Sequence, residues 1–337
     1  MPMNTTSTTQ YDKEIREALA CCLEQTHLPV GKKHQGKVRD SYDLGEYIML
    51  ITTDRLTAFD RHLALIPYKG AVLNLTSTWW FEQTKNLIPN HIVAVPDPNV
   101  VIAKKCSVFP IEFVVRGYIS GTTSTSLWTQ YQNGVRHYCG ITFPEGLRKN
   151  QKLEQPVLTP TTKEKVHDRP IAPSEIISEG WMSEEDWFEA STLALKLYQR
   201  GVEIAQEHGL ILVDTKYEFG RDKDGKIIVV DEIHTPDSSR YWLTDSYQKR
   251  IAAGLEPENI DKEFLRLWFA KNSDPYRDEQ LPQAPQELVE ELSSRYIQLY
   301  ERITGKKFNF VEHKEPTEQR IMRHIANFLG GITQCVE

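Results

Sequence analysis

The chain has 337 residues, of which 39% are hydrophobic and 26% are charged, and its formal net charge is −7. No apolar stretch approaches the roughly 18 residues that a membrane-spanning helix needs, and an acidic surface is poorly suited to the phosphate backbone of nucleic acid. Length and composition therefore predict a globular protein of two domains that binds neither membrane nor nucleic acid.

The N-terminal segment and the cysteines indicate where the protein works. Residues 1–10 are polar and lack the basic and apolar regions of a signal peptide, so they are predicted to form a disordered tail. The five cysteines contain no Cys-x-x-Cys pair and no histidines at zinc-ligand spacing. We expect reduced cysteines and a cytoplasmic location.

Helices and strands alternate in the first part of the chain. Apolar residues at helical spacing predict helices over residues 11–25 and 75–87. Runs rich in β-branched and aromatic residues predict strands at residues 47–53, 91–95, 100–106 and 111–116. A β-rich N-terminal domain over residues 11–112 is therefore expected, followed by an α/β domain over residues 113–337.

A basic loop with a glycine precedes the first of these strands. In the run Gly36-Lys37-Val38-Arg39-Asp40, backbone N–H groups and a lysine could lie against phosphates. The loop lacks the Gly-x-x-x-x-Gly-Lys-Ser/Thr spacing of a P-loop, so a plain surface turn would explain the same residues.

Arg116 ends a predicted strand and precedes a turn rich in Gly, Ser and Thr. Arginine offers bidentate donors for a carboxylate or phosphate, and the hydroxyls add hydrogen bonds. An arginine paired with an internal acid, followed by a helix N-terminus near Thr122, would fit equally well. The residues alone do not separate these interpretations.

The middle of the chain is less regular. Residues 149–173 are rich in Pro and charged residues, which predicts a long irregular connection. Within it, His167 beside Asp168 suggests proton transfer, although such a pair is more often part of a solvated loop. Ser183 and Asp186 resemble a capping box that opens an amphipathic helix ending near residue 208, and further helices are predicted at 261–271 and 285–304.

A predicted hairpin over residues 210–230 gathers three charges on one strand face. Alternation along its first strand places Asp214, Lys216 and Glu218 on the same side. Asp224-Gly225 favours a two-residue turn, which would set Glu218 directly opposite Asp231.

Two facing carboxylates need a cation between them. Mg²⁺ is commonly held by one or two carboxylates together with nucleotide phosphates, so it is a natural candidate. Lys216 alone could also neutralise the pair, and a three-residue loop with a bulge would change the pairing. Arg240 follows closely enough in the chain to reach the same region.

These segments resemble the SAICAR synthetase family, the phosphoribosylaminoimidazole-succinocarboxamide synthases. The two signature matches are residues 109–121 and 213–220. Shorter matches follow in the family's order at residues 36–40, 58–60, 69–70, 162–163, 167–168 and 236–240. The family usually has Gly-Ser where this chain has Gly121-Thr122, and Thr keeps the hydroxyl.

The resemblance implies an α+β fold of two domains, with antiparallel sheets, flanking helices and a nucleotide-binding cleft similar to those of ATP-grasp enzymes and kinases. The implied reaction joins L-aspartate to the carboxylate of CAIR, the 5-aminoimidazole-4-carboxylate ribonucleotide, through an acyl phosphate. ATP is consumed, and SAICAR, ADP and phosphate are formed in de novo purine synthesis. ATP and Mg²⁺ are the implied cofactors, the partners are small-molecule substrates, and a monomer is favoured over an oligomer.

The resemblance also implies roles for individual residues. The ATP-binding group is Gly36, Lys37 and Arg39 along the phosphates, Ile111 and Phe113 along the adenine, and Glu218 and Asp231 as Mg²⁺ ligands. The substrate-binding group is Asp60, Arg116, Thr122 and Arg240. The catalytic group is Lys163, Asp168, Asp214 and Lys216, and Asp214 and His167 are candidates to accept the amine proton.

Two other functions compete with this one. A small-molecule kinase of related fold would also bind ATP, but the chain has no His-Arg-Asp catalytic loop and no Asp-Phe-Gly segment. A nucleotide sensor without catalysis would require the loss of charged site residues, and none of these is missing from the sequence.

Overall fold

The computed structural model describes residues 11–59, 61–123, 125–164, 168–260, 262–310 and 315–334. The chain divides into two compact units. Unit 1 comprises described residues within 1–76, 92–105 and 261–337, and unit 2 comprises those within 77–91 and 106–260. This division differs from the predicted boundary after residue 112, because the C-terminal helices return to unit 1.

Helices occur throughout the described chain. They are α1 (Asp12–Ala18), α2 (Lys69–Thr84), α3 (Leu127–Gln132), α4 (Pro173–Ser178), α5 (Glu184–Glu207), α6 (Thr244–Ala252), α7 (Glu263–Asn272), α8 (Gln286–Thr304) and α9 (Thr317–Gln334). Across the residues that the structure describes, none of these helices has the length and apolar character needed to cross a membrane.

An antiparallel sheet forms the centre of unit 1. The strands of this unit are β1 (Lys32–Gln35), β2 (Arg39–Asp43), β3 (Tyr47–Thr52), β4 (Arg55–Ala58), β5 (Arg61–Leu65), β6 (Ile92–Asp97) and β7 (Val100–Lys104). The sheet order is β1-β2-β3-β7-β6, and β4 pairs with β5 separately. The basic loop predicted from the sequence is the tight turn between β1 and β2.

The last helices belong to unit 1 because their apolar faces complete its core. Leu265 and Phe269 of α7 and Tyr296 of α8 join Ile15 of α1 and Leu56 of β4 in one buried cluster. These contacts connect residues that lie more than 200 positions apart in the chain. The local pattern of each helix carries no information about which unit it joins.

Helix α1 is shorter than predicted. Its last residue is Ala18, and a 3₁₀ turn over Leu19–Cys21 follows. The backbone N–H of Leu23 donates to Asp54 Oδ2 at 2.7 Å, and the Leu23 carbonyl accepts from the Asp54 N–H at 2.8 Å. A backbone held in this way cannot continue the helix to residue 25.

Unit 2 is built around the neighbouring strands β9 and β14. Its strands are β8 (Ser107–Val108), β9 (Ile111–Tyr118), β10 (His137–Tyr138), β11 (Ile141–Thr142), β12 (Lys152–Leu158), β13 (Thr161–Thr162), β14 (Leu210–Arg221), β15 (Ile227–Val230) and β16 (Ser239–Leu243). The order of the main sheet is β12-β9-β14-β15, β8 and β16 also pair with β14, and β13 pairs with β9.

The prediction of a long irregular connection at residues 149–173 is wrong, because this segment contains β12 and β13. Pro156 lies within β12, on the edge of the sheet, where a missing N–H is tolerated. The pairing with β9 is interrupted between Lys152 and Val157. This irregularity explains why the segment lacks the alternating pattern of an ordinary strand.

Helix α5 packs behind the sheet and begins as predicted. Ser183 Oγ accepts a hydrogen bond from the Asp186 N–H at 3.1 Å. The ring of Trp187, in the first turn, stacks on Phe113 of β9 with 5.3 Å between centroids.

The four cysteines among the described residues are free thiols, in agreement with the prediction.

The turn of the β14–β15 hairpin has three residues where two were predicted. Asp222 is hydrogen-bonded to Lys226 through the backbone, and its Oδ1 accepts from the N–H groups of Asp224 (3.0 Å) and Lys226 (2.9 Å). Gly225 has φ +79°, the left-handed conformation that a three-residue turn with a bulge requires. The side chain of Asp222 thus selects the longer turn.

The longer turn shifts the register by one residue. Glu218 lies opposite Val230, so the predicted pairing of Glu218 with Asp231 is wrong. Strand β15 ends at Val230, and Asp231 lies just beyond it with φ +66°.

Candidate active site

One face of the β9–β14 pair carries two charged clusters. Residues two apart in a strand share a face, and the strands are in register with Asp214 opposite Arg116. We define the lysine–carboxylate end as Glu112, Lys163, Lys216, Glu218 and Asp231, and the arginine end as Arg116, Thr159, Asp214 and Arg240. Asp214 and Lys216 are two residues apart in β14, so the ends are separated by roughly 7 Å along the strands.

Lys216 lies at the centre of the lysine–carboxylate end. Its Nζ is 2.5 Å from Glu218 Oε1, 3.2 Å from Glu112 Oε1 and 3.4 Å from Asp231 Oδ2. Lys163 Nζ donates to the other oxygen of Glu218. Glu218 and Asp231 were predicted to face each other across the hairpin. They do not, but both carboxylates contact Lys216.

The surroundings of Lys216 keep it protonated. Burial by itself lowers the pKa of the ammonium group, but the carboxylates of Glu218, Asp231 and Glu112 outweigh burial and hold the pKa well above its ordinary value. Lys216 is therefore a permanent cation at neutral pH, suited to stabilising negative charge and unsuited to accepting a proton.

The arginine end is a row across three adjacent strands. Asp214 of β14 pairs with Arg116 of β9 on one side and with Arg240 of β16 on the other. Arg240 Nη1 donates to Asp214 Oδ2, and Arg116 Nη1 lies 3.5 Å from the same oxygen. Two guanidinium groups thus share one buried carboxylate.

Thr159 fixes the orientation of Arg116. Arg116 Nε donates to Thr159 Oγ1 at 2.8 Å, and the Thr159 N–H donates to the carbonyl of Val114 at 2.8 Å. Because Val114 lies on the same strand as Arg116, this second contact ties the threonine to the residue that it orients.

The Gly/Ser/Thr-rich turn lies against the arginine end. Gly121 has φ +102°, and a Cβ added to it would lie 3.2 Å from Arg240 Nη2 and 2.4 Å from Ser126 Cβ. A side chain at residue 121 is excluded by both its conformation and its neighbours. Glycine there keeps the turn close to the guanidinium, and exposed Thr122 follows directly.

The carboxylates have the chemistry that Mg²⁺ requires. Within the described residues, no group of three or more His, Cys, Asp or Glu side chains is arranged to hold a metal by itself. Glu218 and Asp231 nevertheless both present oxygens to Lys216, and Mg²⁺ commonly takes one or two carboxylates plus phosphate oxygens. The donor set fits a metal that a nucleotide brings with it.

In unit 1, the β1–β2 turn presents the basic loop. The N–H of Gly36 donates to the carbonyl of Arg39 at 2.8 Å, which closes the turn. Gly36 and Lys37 are exposed, and Arg39 is half-buried. The three residues predicted along the ATP phosphates therefore lie together at the tip of one hairpin, which we call the hairpin tip (Gly36–Arg39).

Several other predicted residues are not brought into these clusters. The side chains of Ile111 and Phe113 are fully buried in the core of unit 2, and β9 is paired there with β13 and β14. Asp168 is exposed on the surface. Asp60 and His167 lie outside the described residues.

Glu112 and Thr159 belong to the site but were missed from the sequence. Glu112 could have been found, because it alternates with Arg116 onto one strand face. Thr159 carried no such signal, since it lies between the short strands β12 and β13, in a segment that was predicted to be irregular.

Comparison with known proteins finds similarity over both compact units. A sequence model of the family described as SAICAR synthetase matches residues 32–283. The phosphoribosylaminoimidazole-succinocarboxamide synthase of Legionella pneumophila strain Paris is 70% identical over 309 residues, covering 92% of this chain and 99% of the relative. The solved SAICAR synthase from Saccharomyces cerevisiae complexed with SAICAR has a TM-score of 0.73 and 31% identity, covering 85% of this chain and 99% of that chain. A SAICAR synthetase (Type-2) in complex with ADP has a TM-score of 0.64 and 25% identity, covering 83% of this chain and 100% of that chain.

Proposed function

The chain belongs to the SAICAR synthetase family, and we propose that the charged face of unit 2 carries that family's ligation. ATP drives the joining of L-aspartate to the carboxylate of CAIR, which gives SAICAR, ADP and phosphate. The observation that carries the proposal is the row Arg116–Asp214–Arg240 on the same strand face as the lysine–carboxylate end. A reaction among three anionic reactants needs cations held in fixed positions.

The arginine end binds CAIR. A guanidinium group has five N–H donors in a planar fork that matches carboxylate and phosphate oxygens. The contacts to Thr159 and Asp214 use two of these donors on Arg116 and hold the fork in place. Gly121 lies against Arg240, and Thr122 follows it directly. The Thr122 hydroxyl adds a hydrogen-bond donor for the same anion.

The lysine–carboxylate end receives the metal-bound phosphates of ATP. Glu218 and Asp231 would hold Mg²⁺, which supplies charge neutralisation at the phosphates when it is bound. Lys216 and Lys163 already lie against the carboxylate of Glu218. They are placed to stabilise the negative charge that develops on a transferring phosphoryl group.

The reaction proceeds in two steps. An oxygen of the CAIR carboxylate attacks the γ-phosphorus, the bond to the β-phosphate oxygen breaks, and an acyl phosphate and ADP result. The aspartate amine then attacks the acyl carbon, phosphate leaves with the electrons of the C–O bond, and the nitrogen loses a proton as the amide forms. Positioning and charge stabilisation by the two ends supply the catalysis.

Asp214 holds the two arginines and does not accept the amine proton. One of its oxygens already contacts Arg240 and Arg116. A proton on that carboxylate would remove the negative charge that holds both guanidinium groups. Lys216 is unsuited to the task as well, because it stays protonated.

We infer separately that the hairpin tip in unit 1 is a phosphate-binding loop, with Lys37 and Arg39 as its cations.

Phosphate release from ATP tests the function. We expect release that requires CAIR and L-aspartate together, with SAICAR formed in equal amount. Repeated turnover of ATP with CAIR alone, which leaves a stable phosphorylated product, would point to a kinase. Binding of ATP without turnover would point to a sensor.

A further inference from the structure

Arg55 lies beneath the hairpin tip and contacts its backbone. This residue begins β4 and is buried, with 5% of its surface exposed. Its Nη2 donates to the carbonyl of Gly36 at 3.1 Å, and its Nε donates to the carbonyl of Lys37 at 3.2 Å. The remaining Nη1 donates to the carbonyl of Glu24. One guanidinium group therefore joins the tip to the segment that precedes β1.

The next carbonyl of the tip is held in the same manner. Val38 O accepts from the N–H of Thr53 at 3.0 Å and from Thr53 Oγ1 at 2.8 Å. Three consecutive carbonyls, from Gly36 to Val38, are thus engaged by residues 53 and 55.

Held carbonyls determine where the N–H groups point. In a trans peptide the N–H is directed opposite to the C=O of the same peptide unit. The N–H groups of Lys37 and Val38 therefore point away from Arg55. Backbone N–H groups turned outward at a tight turn are what a phosphate-binding loop requires.

Asp40 fixes the guanidinium group in turn. Its Oδ1 accepts from Arg55 Nη2 at 3.0 Å, and its Oδ2 accepts from the Thr26 N–H at 2.7 Å and from Lys33 Nζ at 3.0 Å. Burial alone would raise the pKa of this carboxyl, but the hydrogen bonds from Thr26, Lys33 and Arg55 outweigh burial and lower the pKa. Asp40 therefore remains an anion beside Arg55.

We propose that Arg55 is a positioning residue that presets the hairpin tip for the phosphates of ATP. This inference rests on the proposed role of the tip as the phosphate-binding loop. Arg55 acts through the peptide units of Gly36 and Lys37 and does not touch the nucleotide itself. The guanidinium group serves four acceptors from three nitrogens spread in a plane, whereas lysine has three donors on a single nitrogen.

The test is the variant Arg55→Lys, which keeps the charge beside Asp40 but loses the fork. ADP and adenosine binding are measured by calorimetry. We expect about tenfold weaker ADP binding and unchanged adenosine binding, since displacements near 1 Å can cost up to about a hundredfold in function. The KM for ATP should rise while the KM values for CAIR and L-aspartate stay within about twofold. A general structural role would not separate ADP from adenosine.

Arg320→Lys is the matched control. Arg320 is a buried arginine of the same unit, and it donates to both oxygens of Asp97 and to Asn99 Oδ1. It has no contact with the hairpin tip among the hydrogen bonds of the described residues. This variant should lower the melting temperature without changing the ratio of ADP to adenosine affinity.

Lys37→Ala separates failure of the inference from failure of the proposed function. If this variant binds ADP normally, the tip is not a phosphate site, and its proposed role in nucleotide binding is wrong. If Lys37→Ala weakens ADP binding but Arg55→Lys does not, the role of Arg55 is overturned and the placement stands. Should Arg55→Lys fail to fold, Asp40→Asn decides, because it removes the anion that fixes the Arg55 guanidinium group and keeps the shape of the side chain. Unchanged ADP affinity in that variant overturns the inference.

Discussion

The two ends of the β9–β14 face are made by the same strands but differ in charge. The lysine–carboxylate end combines three carboxylates with two ammonium groups, whereas the arginine end combines two guanidinium groups with one carboxylate. One end therefore has an excess of negative charge, and the other has an excess of positive charge. The first suits a metal cation and the second suits an anionic substrate.

This difference shows how a short stretch of sheet can place opposite reactants side by side. In β14, Asp214 and Lys216 are two residues apart, and each contacts at least two side chains of the opposite sign. Ion pairs within each end keep the charges in place before any ligand arrives. Variants that alter one end and spare the other test whether the division of roles is real.

Lys216→Met should have the largest effect. The change leaves Glu112, Glu218 and Asp231 without their shared cation and removes a donor for the transferring phosphoryl group. We expect kcat to fall by about 10³-fold, at the upper end of the effect of removing one transition-state donor. Apparent Mg²⁺ affinity should increase at the same time, because the carboxylates no longer share a lysine.

The control is Lys226→Met, an exposed lysine in the turn of the same hairpin. Its kcat and its Mg²⁺ dependence should match the wild type. If Lys216→Met kept wild-type turnover, the lysine–carboxylate end would have no role in phosphoryl transfer.

Asp231→Asn should have the next largest effect, since it removes a charged metal ligand but keeps the shape of the side chain. We expect the Mg²⁺ concentration for half-maximal rate to rise about a hundredfold. This is the upper end of the loss in metal affinity that follows mutation of residues hydrogen-bonded to metal ligands. Asp224→Asn, in the exposed turn of the same hairpin, is the conservative control. Wild-type activity of Asp231→Asn at limiting Mg²⁺ would remove Asp231 from the metal site.

Local periodicity was sufficient to predict much of this face. The alternation of Asp214, Lys216 and Glu218 depends only on the extended conformation of β14, and the contacts to Lys216 confirm it. The presence of a hairpin also followed from its turn residues. The β-rich first part of the chain was predictable for the same reason, whereas the α+β class was implied by the family resemblance.

Features that depend on single side chains or distant contacts were not predictable. The register of the β14–β15 hairpin is set by Asp222, whose carboxylate binds two backbone N–H groups of the turn. Thr159 reaches Arg116 because the chain continues alongside β9 from β12 to β13, in a segment whose residues predicted an irregular connection. Helix α8 joins unit 1 through residues such as Tyr296, and no local pattern specifies that partner.

Arg116→Lys tests the arginine end without changing its charge. Lysine loses the contact from Nε to Thr159 and the planar fork, so the anion is bound less specifically. We expect the KM for CAIR to rise about 30-fold, which corresponds to about 2 kcal/mol for a charge-assisted hydrogen bond. The KM for ATP should change little.

Arg136→Lys is the control for this change, because Arg136 pairs with exposed Glu145 in the same unit. Its KM values should equal those of the wild type. If Arg116→Lys raised the KM for ATP and not the KM for CAIR, the two ends would have exchanged their assigned ligands.

Thr159→Val should have the smallest effect of the series, because it alters the orientation of Arg116 and leaves every charge in place. Loss of one hydrogen bond of about 1 kcal/mol predicts a rise of about fivefold in the KM for CAIR. Thr159→Ser keeps the hydroxyl and should restore the wild-type value, whereas a purely steric role for Thr159 would leave the serine variant impaired. If Thr159→Val changed the Mg²⁺ concentration for half-maximal rate, the two ends would be coupled and would not act separately.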